Sequence, residues 1–173
     1  MKQWDKKYQR TADFIVVEGP EAGGHLGFAG KELADSRQVK LDFTENVRAT
    51  LQMKQQYEEK YGRKIPVFVA GGIFIKEDVQ EVLALGADGV QVATHFVATQ
   101  ECDAHEACKQ AYVNAKEEDL VIMESPVGMP ARAIRNPFVE QMMEGAEKIT
   151  FCYKCIKGCH PGKPKYCIQL RKI

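Results

Sequence analysis

No excess of charge marks this sequence: 24 lysines and arginines face 24 aspartates and glutamates, a formal net charge of zero. That balance leaves no broad field with which to hold a polyanion or an anionic membrane surface, so neither nucleic acid nor membrane is an expected partner. The chain also has no apolar run of about 18 residues, the length a membrane-spanning helix needs. No apolar stretch follows the opening Met1-Lys2-Gln3-Trp4-Asp5-Lys6-Lys7, so no secretory leader is read there and a cytoplasmic chain is expected. Disorder is excluded as well, because 173 residues that are 45% hydrophobic and 28% charged supply enough apolar material for one core.

What is present is one repeated grammar: a short apolar, β-rich run, a glycine-containing loop, then an amphipathic helix pattern, the alternation that specifies a parallel sheet covered by helices. The runs are 13–17, 65–70 and 89–93, and their near-continuous apolar content predicts strands buried on both faces. Helices are predicted at Thr44–Tyr61, stopped by Gly62, at Lys76–Leu85, at Ala104–Ala115 and at Phe138–Ala146, and Met1–Arg10 reads as the end of another. Leu120-Val121-Ile122-Met123 is a further short apolar run. Pro126, Gly128, Pro130 and Pro137 make Ser125–Pro137 mostly loop. The composition shifts at Lys148, so two parts are expected, 1–147 and a cysteine-rich tail at 148–173.

Two loops carry chemistry. Gly71-Gly72 ends a buried strand, where missing β-carbons let backbone amides approach an oxyanion, above all a phosphate; a tight turn alone is the plainer alternative. The next strand ends in Gln91-Val92-Ala93-Thr94, which adds a hydroxyl beside the pair. His25 follows Gly23-Gly24 at the mouth of the first strand, either projecting over the reactive end of the sheet or making an ordinary surface hydrogen bond. Glu18 and Glu21 flank it, to orient the ring or simply to be solvated, with solvation favoured for Glu21.

Three strings, in order, resemble the nitronate monooxygenase (2-nitropropane dioxygenase) family: the histidine loop Val17–Gly27, the strand Val69-Ala70-Gly71-Gly72-Ile73, and Leu85–Thr99. Ser125–Asn136 is similar to a later loop of the same family, so the likeness covers nearly the whole chain. The resemblance implies an α/β chain forming about the last three βα units of a TIM (β/α)8 barrel, with the cysteine-rich tail after it. It implies FMN as cofactor, held by Glu18, Gly23, Gly71, Gly72, Gln91, Val92, Ala93 and Thr94, with His25 as the catalytic or substrate-orienting group. The implied flavoprotein is an oxidoreductase, a monooxygenase that uses dioxygen to convert an alkyl nitronate or nitroalkane into a carbonyl compound and nitrite. An FMN-dependent enoyl-acyl carrier protein reductase II shares these loops and is the enzymatic alternative. An inactive remnant, or an interaction module built on the tail, is the third reading.

The matches begin at what would be the sixth barrel strand, whereas a whole barrel takes about 250 residues. The expected partners are therefore the small-molecule substrate, dioxygen, and either a missing N-terminal half or a second copy to cover the open edges of the sheet. Six cysteines without a leader are expected to be thiols. Cys152, Cys155, Cys159 and Cys167, with His160 adjacent, fit no standard metal spacing closely. No metal is expected there, although these four remain the candidate ligands; Cys102 and Cys108 read as packed thiols.

Overall fold

The computed structural model describes residues 1–30, 32–34, 36–125, 129–145, 149, 151, 152, 154 and 167. In chain order the elements are α1 (Lys2–Tyr8), β1 (Ile15–Glu18), β2 (Gly24–His25), α2 (Ser36–Tyr61), β3 (Val67–Ala70), α3 (Lys76–Ala84), β4 (Gly89–Gln91), α4 (Thr94–Val97), α5 (Glu106–Asn114), β5 (Leu120–Glu124), β6 (Pro130–Ile134) and α6 (Pro137–Glu144). Their contacts fall into two compact units, Met1–Ala22 with Lys31–Cys102, and Gly23–Gly30 with Asp103–Ile173. Among the described residues no helix is long and apolar enough to cross a membrane.

The first unit is a three-stranded parallel sheet in the order β1-β3-β4, with Val17, Val69 and Val90 in one cross-strand row. That face is covered by Val47 and Leu51 of α2 and by Val79 and Val82 of α3. Val47, Val67 and Val69 are fully buried, and each such side chain contributes about 1.5–3 kcal/mol of transfer free energy. The opposite row, Val16–Phe68–Gly89, is less covered: Val16 is 42% exposed and Phe14, edge-on to Phe68, is 58% exposed. Burial of all three strands on both faces is thereby corrected. The middle strand β3 is largely buried, but β1 and β4 are edges, and α2 and α3 pack on one side.

Helix α2 starts at Ser36 rather than Thr44, since no glycine or proline intervenes to stop it. It ends before Gly62, in the left-handed conformation expected there (φ 61°). A polar network fastens this end of α2 to the sheet. The Asp88 carboxylate accepts from Val67 N at 2.9 Å and from Lys54 Nζ at 3.0 Å, and Glu58 accepts from Ile65 N at 2.7 Å. The Val67 N–H first, and Lys54 second, hold the Asp88 carboxyl below its ordinary range. Its contribution is therefore full above about pH 4, the unfolded value, and fades as pH falls through the lower folded one. The side chain is 40% exposed, and screening holds the expected cost of Asp88→Ala to about 1 kcal/mol. Urea unfolding should show that difference at neutral pH, with parent and variant converging in strong acid. In the last turn of α2, Lys60 Nζ and the Tyr61 hydroxyl both donate to Asp5, pinning α1.

The second unit is an antiparallel sheet in the order β2-β6-β5. Val121 and Met123 alternate on β5 and pack with Val139 and Met142, three apart on α6, beside Ala131 and Ala133 of β6. Helix α6 is started by Asn136, whose side-chain oxygen accepts from Val139 N at 2.9 Å, with Pro137 in its first turn. The mostly-loop expectation for 125–137 is corrected: Pro130–Ile134 is a strand, held by pairing with Leu120–Glu124 that local proline content does not reveal.

Candidate active site at the ends of the parallel strands

Seven of the expected site residues gather on the first unit. Glu18, Ala70 and Gln91 lie opposite one another, forming a row across the last rung of β1, β3 and β4. Parallel strands end together at one rim, so this register sets the loops that follow side by side. Gly71 and Gly72 leave β3; Val92, Ala93 and Thr94 leave β4, with Thr94 opening α4. Glu18 and Gln91 are exposed on either side of the buried Ala70. Gly23 and His25 belong to the second unit, where His25 is an exposed residue of β2 opposite Ala131, continuing the row Met123–Ala131–His25.

The glycine pair is required by its backbone. Both residues are left-handed, Gly71 with φ 85° and Gly72 with φ 77°, a region that costs an L-residue about 1–2 kcal/mol. Space is lacking too, because a β-carbon on Gly71 would stand 2.9 Å from Gly19 O and 3.0 Å from Ala22 N. The loop after β1 thus lies flush on the pair. Neither glycine amide makes a hydrogen bond among the described residues. Two unengaged amides, with a hydroxyl on the neighbouring strand end, are a donor set suited to a phosphate.

The cavity beside the pair is small, about 70 Å³, and its polar lining includes Glu21, Thr44, Asp78 and Glu81. A flavin nucleotide does not fit in so small a space; the Glu18–Ala70–Gln91 row lies on the other, uncovered side of the sheet. Asp78 is structural, since its carboxylate accepts from the N–H groups of Phe74 and Ile75, at 2.8 and 2.9 Å, and so fixes the turn into α3.

One group at this rim escaped the reading of the sequence. Phe74, after β3, and His95, in α4, have ring centroids 4.7 Å apart, with Phe96 5.8 Å from His95. The two segments are about twenty positions apart, and the pairing of β3 with β4 brings them together. In the tail, Cys152 and Cys167 are free thiols, as are Cys102 and Cys108, while Cys155, Cys159 and His160 lie outside the described residues. Among the described residues no group of three histidine, cysteine or acidic side chains could hold a metal.

Comparison with known proteins bears on this geometry. A family model described as nitronate monooxygenase matches residues 1–160. The chain is similar to a probable nitronate monooxygenase of Staphylococcus aureus (strain Newman), 36% identical over 132 residues, covering 76% of this chain and 34% of that one. Among solved structures it is similar to FabK from Thermotoga maritima, with a TM-score of 0.55 and 32% identity, covering 77% of this chain and 36% of that one. It is also similar to nitroalkane oxidase from Streptomyces ansochromogenes, with a TM-score of 0.51 and 28% identity, covering 77% of this chain and 35% of that one. These structural neighbours are TIM-barrel enzymes. The chain spans about a third of the length of the curated relatives it matches.

Proposed function

Because this chain belongs to the nitronate monooxygenase family, we propose that it is the C-terminal part of an FMN-dependent enzyme that oxidises alkyl nitronates with dioxygen to carbonyl compounds and nitrite. On this reading residues 1–147 are the last three βα units of a (β/α)8 barrel with an added antiparallel sheet, and 148–173 are the tail. The uncovered face of the parallel sheet, with Phe14 and Val16 exposed, is then the barrel's interior, covered by the remaining strands.

The observation that carries the reading is the left-handed pair Gly71–Gly72, with unengaged amides, after a strand paired with β4, whose loop leads to Thr94 at the start of α4. Those groups would hold the FMN phosphate, and Glu18 and Gln91 would contact the rest of the cofactor from the row below. Gly23 would let the backbone approach the cofactor closely. Bound FMN supplies the electron acceptor for nitronate oxidation. His25 either takes the proton from a neutral nitroalkane or, when protonated, holds the anionic nitronate.

The similarity to FabK favours a second reading, an FMN-dependent enoyl-acyl carrier protein reductase. One experiment separates the two. The chain is fused to the remaining N-terminal two thirds of the Staphylococcus relative, loaded with FMN, and assayed on both substrate classes. Nitrite from a nitronate without added nucleotide is the expected result; rapid oxidation of a reduced nicotinamide nucleotide with an enoyl thioester would replace it with the reductase.

A further inference from the structure

The cover over the glycine pair is fixed at one residue and movable at the other. Above Gly71 it is backbone, and it is held: Gly19 N donates to Ala70 O at 2.7 Å, Ala22 N to Gly19 O at 3.2 Å, and Ala22 is buried. Above Gly72 it is the Glu21 side chain. Its Cβ and Cδ stand 3.0 and 3.2 Å from where a β-carbon of Gly72 would be, and its Oε2 reaches that position too.

Glu21 is exposed and makes no hydrogen bond or ion pair among the described residues, so rotation about its own bonds is enough to clear the glycine. Charge favours that rotation. Among the described residues the same cavity is lined by Asp78 and Glu81 from α3 and by Phe43, Thr44 and Val47 from α2, and by no lysine, arginine or histidine. Among the described residues the Glu21 carboxyl thus shares the cavity with acidic groups and no cation.

We propose that the Glu21 carboxylate, which stands over Gly72 in the ligand-free chain, swings away when a phosphate group binds the Gly71–Gly72 amides, so that Glu21 sets the anion affinity of the site. The proposal rests on the pair being a phosphate site. A carboxylate and a phosphate dianion cannot share one small space, and each phosphate bound must first expel a charge of its own sign. Glutamine keeps the size of the plug and removes that repulsion.

The test follows the amide shifts of Gly71 and Gly72 in the 15N-labelled full chain during titration with inorganic phosphate at constant ionic strength. Parent and Glu21→Gln are compared after circular dichroism shows equal folding. Glu21→Gln is expected to bind phosphate about threefold to tenfold more tightly, the effect of removing one unit charge a few ångströms away in a hydrated site. The same gain is expected for FMN, and none for riboflavin, which lacks the phosphate. Equal phosphate affinity in the two chains, or an equal gain for riboflavin, overturns the role of Glu21 and leaves the phosphate site standing. Absence of any shift at Gly71 and Gly72 in both chains overturns the phosphate site and the proposal together.

Discussion

Alanine at His25 is expected to lower turnover of a neutral nitroalkane by about 100-fold to 10,000-fold, the usual loss when a positioned acid or base is removed, with flavin content unchanged. Content should hold because the expected phosphate donors, Gly71, Gly72 and Thr94, lie in the other unit. Folding should hold as well: the ring is exposed, β2 is kept in place by backbone pairing, and Leu26 N donates to Pro130 O at 2.8 Å. Truncating an exposed side chain of this kind changes stability by about 0.5 kcal/mol or less. If His25 removes a proton, a preformed nitronate, which needs no base, should lose much less activity than the neutral compound. Steady-state rates on both substrates in the FMN-loaded fusion, with flavin measured after denaturation, decide the matter. Parental turnover of the neutral substrate at full flavin occupancy would return His25 to an ordinary surface role.

The second large effect is expected at Gly71. Gly71→Ala should destabilise the chain by about 2–5 kcal/mol, from two costs that add: about 1–2 for the left-handed backbone and about 1–3 for overpacking. The overpacking is severe because the atoms in the way, Gly19 O and Ala22 N, are backbone and cannot rotate aside. Gly62 supplies the control. Its φ of 61° is also left-handed, yet a β-carbon there would have nothing within 4 Å. Gly62→Ala should therefore show only the backbone cost, and urea unfolding of the two variants side by side isolates the contact. A Gly71→Ala loss no larger than that of Gly62→Ala would mean that the loop after β1 yields easily. In the FMN-loaded fusion Gly71→Ala should also release flavin, because the clash and the lost left-handed backbone at Gly71 shift the Gly71–Gly72 amides that would meet the phosphate.

The parallel-strand alternation, the left-handed stop at Gly62 and the short helices at 76–84, 106–114 and 137–144 were legible in the sequence. Each depends on residues near one another in the chain: apolar periodicity, or a glycine just past a helix end. The family was legible for a similar reason, since its motifs are contiguous strings. The tertiary structure decided what depends on pairing between distant segments. Strand Pro130–Ile134 exists because Leu120–Glu124 lies against it, although its prolines point locally to a loop. The apolar runs of β1 and β4 read like that of β3, but position in the sheet leaves them as edges. His25 was legible as a candidate but not as a strand residue opposite Ala131, and Glu21, read as solvated, lies over Gly72. Sequence determines which side chains and backbone freedoms are available; which of them meet is set by strand register and loop packing, and those are long-range contacts that no local pattern encodes.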